Sequence, residues 1–357
     1  MIKLISPADG IKIPLLTDAH RDFMSKYDDG TVDRDALNEG WVKRYPWLPE
    51  KRDRERDMTG PAHVLFFWSC GEPFERIKLD ISETPDFTKP AQITKGHVFQ
   101  SAESGDYFAD VTNFRSGTRY YWRIRHGVEV SETRSFVTVQ GPRPIMIPGC
   151  GNVRDIGGVT NLEGKRIKQG LVYRGSACDG NDEEQYEITD DGIRVFAGDL
   201  GIKTEIDLRG DVGQGPFEGA HGVNTIKIFS HSYDWAHSEE EGRAALRGLF
   251  GVLSDPGNYP VYVHCQAGAD RAGTAIIYLI AVLGMDQHYI LRDYNISSLS
   301  VDDQRNFSKN GDAVKWVASL ERDYPGLSFT DALVRSLLDA GVSEEQLFFV
   351  RSFLLEY

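Results

Sequence analysis

The sequence predicts two domains of different class: an all-β sandwich over residues 1–140 and an α/β domain over residues 145–357, with a central, mostly parallel sheet flanked by helices. A chain of 357 residues exceeds what one hydrophobic core usually organises. Apolar residues alternate with polar ones from about Val64 to Val139, whereas strand-like and helix-like runs take turns beyond Ile145. Gln140-Gly-Pro-Arg-Pro144, with its glycine and two prolines, lies between the two patterns and reads as the linker.

Within the first domain, Ile11–Leu16 reads as an opening strand, followed by a polar insertion near residues 17–60. Lys51-Arg-Asp-Arg-Glu-Arg-Asp57 in that insertion is a mixed-charge run, which is the composition of a solvated face. Further strands are expected at Val64-Leu-Phe-Phe-Trp68, around Ile77, Leu79 and Ile81, around Tyr120, Trp122 and Ile124, and at Ser135-Phe-Val-Thr138. Trp41, Trp47, Trp68 and Trp122 are read as packing residues, with a carbohydrate- or peptide-binding face as the alternative. The segment Ser116-Gly-Thr-Arg-Tyr-Tyr-Trp-Arg123 resembles the penultimate-strand region of fibronectin type III domains, so the sandwich is expected to be fibronectin type III-like.

In the second domain, Ile193, Phe196, Ala197 and Leu200 have helical spacing and precede a strand-like run from Ile202 to Leu208. Leu246, Leu249, Phe250 and Leu253 mark another helix, and Tyr259-Pro-Val-Tyr-Val-His264 reads as a buried strand after it. The apolar run Ala275–Leu283 continues as a helix. Two more helical stripes follow, through Ala313, Trp316, Val317 and Leu320, and through Leu347, Val350 and Leu354 behind a Ser343-x-x-Gln346 capping box.

The bulk composition excludes several functions. A net charge of -14 and a pI near 5.1 disfavour a nucleic-acid binder, which needs basic surface to displace phosphate counterions. The start of the chain carries no cationic segment leading into an apolar run, and no later run has the ~18 apolar residues of a membrane helix, so no membrane anchor and a cytoplasmic location are expected. Cys70, Cys150, Cys178 and Cys265 are few and irregularly spaced, which shows neither a disulfide framework nor a zinc pattern.

The chemistry concentrates in His264-Cys-Gln-Ala-Gly-Ala-Asp-Arg-Ala-Gly-Thr274, which joins the buried strand to the apolar helix. Cys265, five residues and Arg271 have the spacing of cysteine-dependent phosphatases. Five residues can curl so that the backbone N–H groups of Gln266, Ala267, Gly268, Ala269, Asp270 and Arg271 form an anion nest at a helix N-terminus. The same field lowers a thiol from its free pKa of ~8.5. Arg271 supplies a guanidinium fork for two phosphoryl oxygens. Attack by Cys265 gives a phosphocysteine that water hydrolyses, so neither a metal nor an organic cofactor is required. The expected substrate is a phosphorylated protein or a small phosphorylated molecule. An arsenate reductase pairs the same residue types at this spacing but needs resolving cysteines placed for a relay. A phosphate-reading module that turns over poorly is a further alternative.

Three more segments occur in order: Gly151-Asn-Val-Arg-Asp-Ile-Gly-Gly158, Gly170-Leu-Val-Tyr-Arg-Gly-Ser176 and Gly201-Ile-Lys-Thr-Glu-Ile-Asp-Leu-Arg209. Together with the cysteine loop, they resemble the bacterial tyrosine phosphatases that open on Asn-x-Arg-Asp-x-Gly-Gly, a group that includes a secreted mycobacterial enzyme acting on phosphoproteins and phosphoinositides. The resemblance covers roughly Ile145–Tyr357. The family loop reads His-Cys-x-Ala-Gly-Lys-Asp-Arg-Thr-Gly and matches His264, Cys265, Ala267, Gly268, Asp270, Arg271 and Gly273. It implies Asp270 as general acid, with Asp211 and Asp234 as alternatives on the loops before the catalytic strand. Ala269 stands where the family has Lys and Ala272 where it has Thr, which points away from polyanionic lipids and towards slow breakdown of the phosphoenzyme. His264 is expected to support the loop. Arg154 and Asp155 are expected either to line the pocket or to hold the turn before Gly157, and Asp207 and Arg209 carry the same two readings. Cys178 reads either as a partner that protects Cys265 by a disulfide or as an inert buried thiol. The oligomeric state is not legible.

Overall fold

The computed structural model describes residues 2–28, 57–71, 77–101, 104–180, 186–211, 213–300 and 312–356. The chain divides into two compact units, Met1–Thr17 with Pro61–Met146, and Asp18–Gly60 with Ile147–Tyr357.

Period-two alternation builds the first unit into two sheets. One runs β1 (Lys3–Ser6), β3 (Val64–Ser69), β6 (Tyr107–Thr112) and β5 (Thr94–Gln100). The other runs β2 (Ile11–Ile13), β9 (Arg134–Thr138), β7 (Arg119–His126) and β4 (Ile77–Ser82), with β8 (Glu129–Val130) pairing with β7. Neighbours are antiparallel except for β2 and β9, which run parallel. Inward residues from both sheets, among them Phe66, Trp68, Val111, Tyr120, Trp122, Ile124 and Phe136, form one core. Phe66 meets Trp122 edge-on at 5.0 Å between ring centroids. Trp68 and Trp122 are thus core residues. Trp41, Trp47 and the Lys51–Arg56 run lie outside the described residues.

Helix α1 (Asp18–Asp28), on the segment that sequence patterning places as an insertion of the first domain, counts with the second unit. The physical reason is Phe23, which is buried in the second unit's core.

The sheet of the second unit runs β10 (Arg154–Asp155), β11 (Val172–Gly175), β14 (Val261–His264), β12 (Thr204–Asp207) and β13 (Asn224–Lys227). Only β10 is antiparallel to its neighbour. Helices α2 (Glu240–Leu253), α3 (Arg271–Val282), α4 (Gln287–Ile296), α5 (Asp312–Asp323), α6 (Phe329–Asp339) and α7 (Glu344–Leu354) complete this mixed α/β unit. Helix α3 begins at Arg271, four residues before its apolar run. Every residue from Ala272 to Val282 is buried, which explains why its sequence shows no polar face. The helix expected over Ile193–Leu200 is a short α-helix, Asp190–Ile193, that widens into a π-helical stretch, Arg194–Asp199, where the Leu200 N–H reaches back to the Val195 carbonyl. Among the described residues no helix is long and apolar enough to cross a membrane.

Register fixes where the site lies. Gly175 on β11 and Asp207 on β12 both pair with His264, so the carboxyl ends of the parallel strands open together onto the loop after β14.

The capping box is present at α7: the Ser343 hydroxyl accepts from Gln346 N, and Gln346 Oε1 accepts from Ser343 N at 2.9 Å. Ser343→Ala is expected to cost about 1 kcal/mol of stability, read as a lower denaturant midpoint at unchanged slope.

Candidate active site

The loop from Cys265 to Asp270 is shaped first by one glycine. Gly268 has φ +69°, and a Cβ there would lie 2.2 Å from the Gly175 carbonyl oxygen, so any side chain would collide with backbone. Three consecutive loop carbonyls are then held from outside. Gln266 O accepts from Ala177 N at 2.8 Å, Ala267 O from Asn152 Nδ2 at 3.2 Å, and Gly268 O from Arg174 Nη2 at 2.6 Å. In a trans peptide the carbonyl and the next N–H point opposite ways. The N–H groups of Ala267, Gly268 and Ala269 therefore turn to the other side, where they meet no acceptor among the described residues. That is the nest an anion needs.

Behind the loop lies a buried charge cluster. Asp293 accepts from Arg154 Nε at 2.8 Å and from Arg174 Nη1 at 2.7 Å, and Arg154 also reaches Asn152 Oδ1 at 2.7 Å. Burial alone would raise the Asp293 carboxyl; the two guanidiniums outweigh it and hold the group below its ordinary range. Burial and the charge of Arg154 bring Arg174 down to about 10, opposed by Asp293 and by Cys265. Cys265 itself is buried.

His264 lies under the other flank. The Glu205 carboxylate is in ion-pair contact with its Nε2 at 3.1 Å, without a well-aligned hydrogen bond, and Nδ1 is 3.1 Å from the Cys265 carbonyl. Burial works against charge on His264, yet Glu205 and Asp207 lift it to about 9. Asp207 and Asp179 both clasp Arg209, which in turn reaches Gln266 Oε1 at 3.1 Å.

At the helix side, Asp270 Oδ1 accepts from Tyr233 Oη at 2.6 Å, and Tyr233 Oη is 2.7 Å from Tyr294 Oη. Thr274 Oγ1 is engaged by Tyr233 N at 3.0 Å. Arg271 is half-buried, and its side chain forms no ion pair or hydrogen bond with any described residue. It edges a cleft of about 500 Å³ whose walls include Phe229, Tyr233, Asp234, Trp235, Asp312 and Lys315.

The sequence-derived residues thus separate by position. Cys265 to Arg271 share the loop, and Asp234 shares the cleft with Arg271. Asp211 has a side chain 93% exposed beside Lys227 and is not among the cleft's lining. Arg154 turns to Asp293, whereas Asp155 accepts from Gly157 N and Gly170 N and so holds the turn. Cys178 lies against Cys150, with the sulfurs 3.2 Å apart. Arg174, Asp293, Glu205, Tyr233 and Tyr294 were not singled out from sequence. Arg174 and Glu205 lie inside quoted segments; Asp293, Tyr233 and Tyr294 carry no local signal.

A model of the tyrosine phosphatase family matches residues 145–325, and the chain belongs to that family. Among curated proteins it is similar to the "Putative tyrosine-protein phosphatase" of Cupriavidus necator, 25% identical over 242 residues, which is 60% of this chain and 80% of that protein. Among solved structures it is similar to the core catalytic domain of the PP-IP phosphatase SIW14 from S. cerevisiae in complex with citrate. That match is 14% identical at a TM-score of 0.30, covering 47% of this chain and 97% of that one, and is too loose to carry an argument.

The His264 ion pair gives a pH signature. With its folded pKa at about 9, above the ordinary 6.5, His264 contributes stability that is fully present below pH 6.5 and is lost as pH rises through 9. Denaturation midpoints from pH 6 to 10 are expected to fall across that window in the wild type and to fall less in Glu205→Gln.

Proposed function

We propose that the protein hydrolyses phosphate monoesters through a phosphocysteine at Cys265, acting on phosphotyrosine or a related aryl phosphate. The observation that carries this reading is the set of three N–H groups, Ala267 to Ala269, between Cys265 and Arg271, which like the Arg271 side chain meet no partner among the described residues. Cys265 Sγ attacks phosphorus, the bond to the leaving oxygen breaks, and Asp270 gives that oxygen its proton. Water then attacks phosphorus and the S–P bond breaks, releasing phosphate and the thiolate. The nest and Arg271 stabilise the equatorial oxygens in both steps. Tyr233 and Tyr294 both address Oδ1 of Asp270 and so fix the orientation of its carboxyl group. His264, Arg154, Arg174, Arg209 and Asp207 position the loop without touching substrate.

The cleft favours a ring over a polyanion. Phe229 and Trp235 are 54% and 59% exposed along its wall, which offers flat apolar contact. Asp234 and Asp312 repel additional phosphates, and Lys315 is paired with Asp312 at 2.9 Å. Ala269, where the loop of the resembled family has Lys, is buried and adds no cation. The first unit's two sheets around one core, together with Ser116–Arg123, support a fibronectin type III-like reading of that unit.

Hydrolysis of p-nitrophenyl phosphate, a phosphotyrosine peptide and inositol hexakisphosphate tests the assignment. Cys265→Ser is expected to lower kcat by ~10³-fold or more, and full activity in that variant would sink the mechanism. Asp270→Asn is expected to lose ~10²-fold on the peptide and less on p-nitrophenyl phosphate, whose leaving group needs no proton. If Asp234→Asn shows that pattern instead, the acid is Asp234. Preference for the inositol phosphate would overturn the aryl reading.

Ala272 is fully buried and places no hydroxyl beside the loop, while Thr274 is engaged by Tyr233. Phosphoenzyme hydrolysis is therefore expected to be the slow step. Rapid mixing should give a burst of p-nitrophenol approaching one per active site, with a smaller burst and faster steady state in Ala272→Ser. Absence of a wild-type burst contradicts this.

A further inference from the structure

Cys150 and Cys178 have no part in the chemistry above, yet the fold brings them together across 28 residues. Their sulfurs are 3.2 Å apart, closer than two unbonded sulfurs ordinarily rest, and both are free thiols. The two backbone segments that carry them are already joined: Ser176 N donates to Gly151 O at 2.9 Å, and Gly151 N donates to Ser176 Oγ at 2.8 Å. Drawing the sulfurs to the ~2.05 Å of a disulfide requires a shift of only about 1 Å.

These are also the segments that hold the catalytic loop. Two residues after Cys150, Asn152 donates to the Ala267 carbonyl; one residue before Cys178, Ala177 N donates to the Gln266 carbonyl. Those two carbonyls set the direction of the Ala267 and Gly268 N–H groups. A shift at either cysteine therefore reaches the anion nest through one or two covalent residues and one hydrogen bond.

We propose that Cys150 and Cys178 form a reversible disulfide that lowers phosphatase activity by displacing the loop carbonyls, a thiol switch separate from oxidation of Cys265. The activity half rests on the function proposed above; the cross-link does not. The oxidant is a low-molecular-weight disulfide such as oxidised glutathione. Cys150, the more exposed of the pair, attacks it as thiolate, forming a mixed disulfide and releasing one glutathione. Cys178 then attacks the Cys150 sulfur, its proton leaving with the second glutathione. Two thiols are oxidised and one glutathione disulfide is reduced to two thiols. Burial pushes the Cys178 thiol up, which leaves the first step to Cys150.

The test is a peptide map, because each of the four cysteines falls in a different tryptic peptide. The full-length protein is equilibrated with reduced and oxidised glutathione, alkylated and digested without reductant. The expected product joins the Cys150 peptide to the Cys178 peptide, lost on dithiothreitol treatment. No such species under oxidising glutathione, or Cys178 joined to Cys265 instead, overturns the proposal. In parallel, oxidised wild type is expected to lose at least about five-fold in p-nitrophenyl phosphate hydrolysis and to recover with dithiothreitol. Cys150→Ala is expected to match reduced wild type and to resist the loss. An equal loss in Cys150→Ala would place the effect at Cys265 and overturn the switch. A reduced wild type with no activity would overturn the proposed function, while the map still decides the cross-link.

Discussion

One buried carboxylate, Asp293, shared between Arg154 and Arg174, holds the Cys265–Arg271 loop in shape. Placing three charges in a low-dielectric interior carries a desolvation penalty that their mutual attraction does little more than offset. What the arrangement secures is direction. Arg174 spans from Asp293 to the Gly268 carbonyl, Arg154 spans from Asp293 to Asn152, and Asn152 holds the Ala267 carbonyl. Two positive charges against one negative also leave a net cation behind the Cys265–Arg271 loop. The same residues thus set the geometry of the nest and bias its potential.

The opposite flank is built with the reverse balance. Glu205 with His264, and Asp207 and Asp179 with Arg209, form a second buried network in which carboxylates outnumber the permanently charged base. It keeps His264 protonated well above neutrality and holds Gln266 through Arg209. The loop is therefore clamped from both sides by buried charged side chains. Its remaining edge, at Asp270, is tied by two phenols instead of charges.

Sequence revealed those parts of this design whose constraint is local. Cys265 and Arg271 stand at a fixed spacing because the loop that joins them is short, and Gly268 is needed where it stands by a positive φ. The capping box at Ser343 and Gln346 and the strand alternation of the first unit are equally short-range patterns. Asp293, by contrast, meets Arg174 across 119 residues, and Tyr233 meets Asp270 across 37. No periodicity marks such residues, because a buried acid on α4 and a tyrosine in a loop look ordinary until the fold brings their partners near. The pair Arg154-Asp155 shows the limit well. The two neighbours carry one shared reading in sequence, lining the pocket or holding the turn, but adjacent residues on a strand point to opposite faces, and each has a different partner.

The placement of α1 bears on how this protein can be divided. The family match begins at residue 145, which invites a cut there to isolate the catalytic part. Yet Phe23 is buried among the residues of that part, and the chain reaches it more than a hundred residues earlier. A fragment starting at 145 would expose a hole where Phe23 packs and would remove His20 from its buried position as well. Both units are discontinuous and alternate along the chain, Met1–Thr17 and Pro61–Met146 in one, Asp18–Gly60 and Ile147–Tyr357 in the other, so no single cut separates them. Loss of the β unit would take two deletions, one of the residues before 18 and one that joins residues near 60 to those near 147, which is a reason for the two to be inherited together.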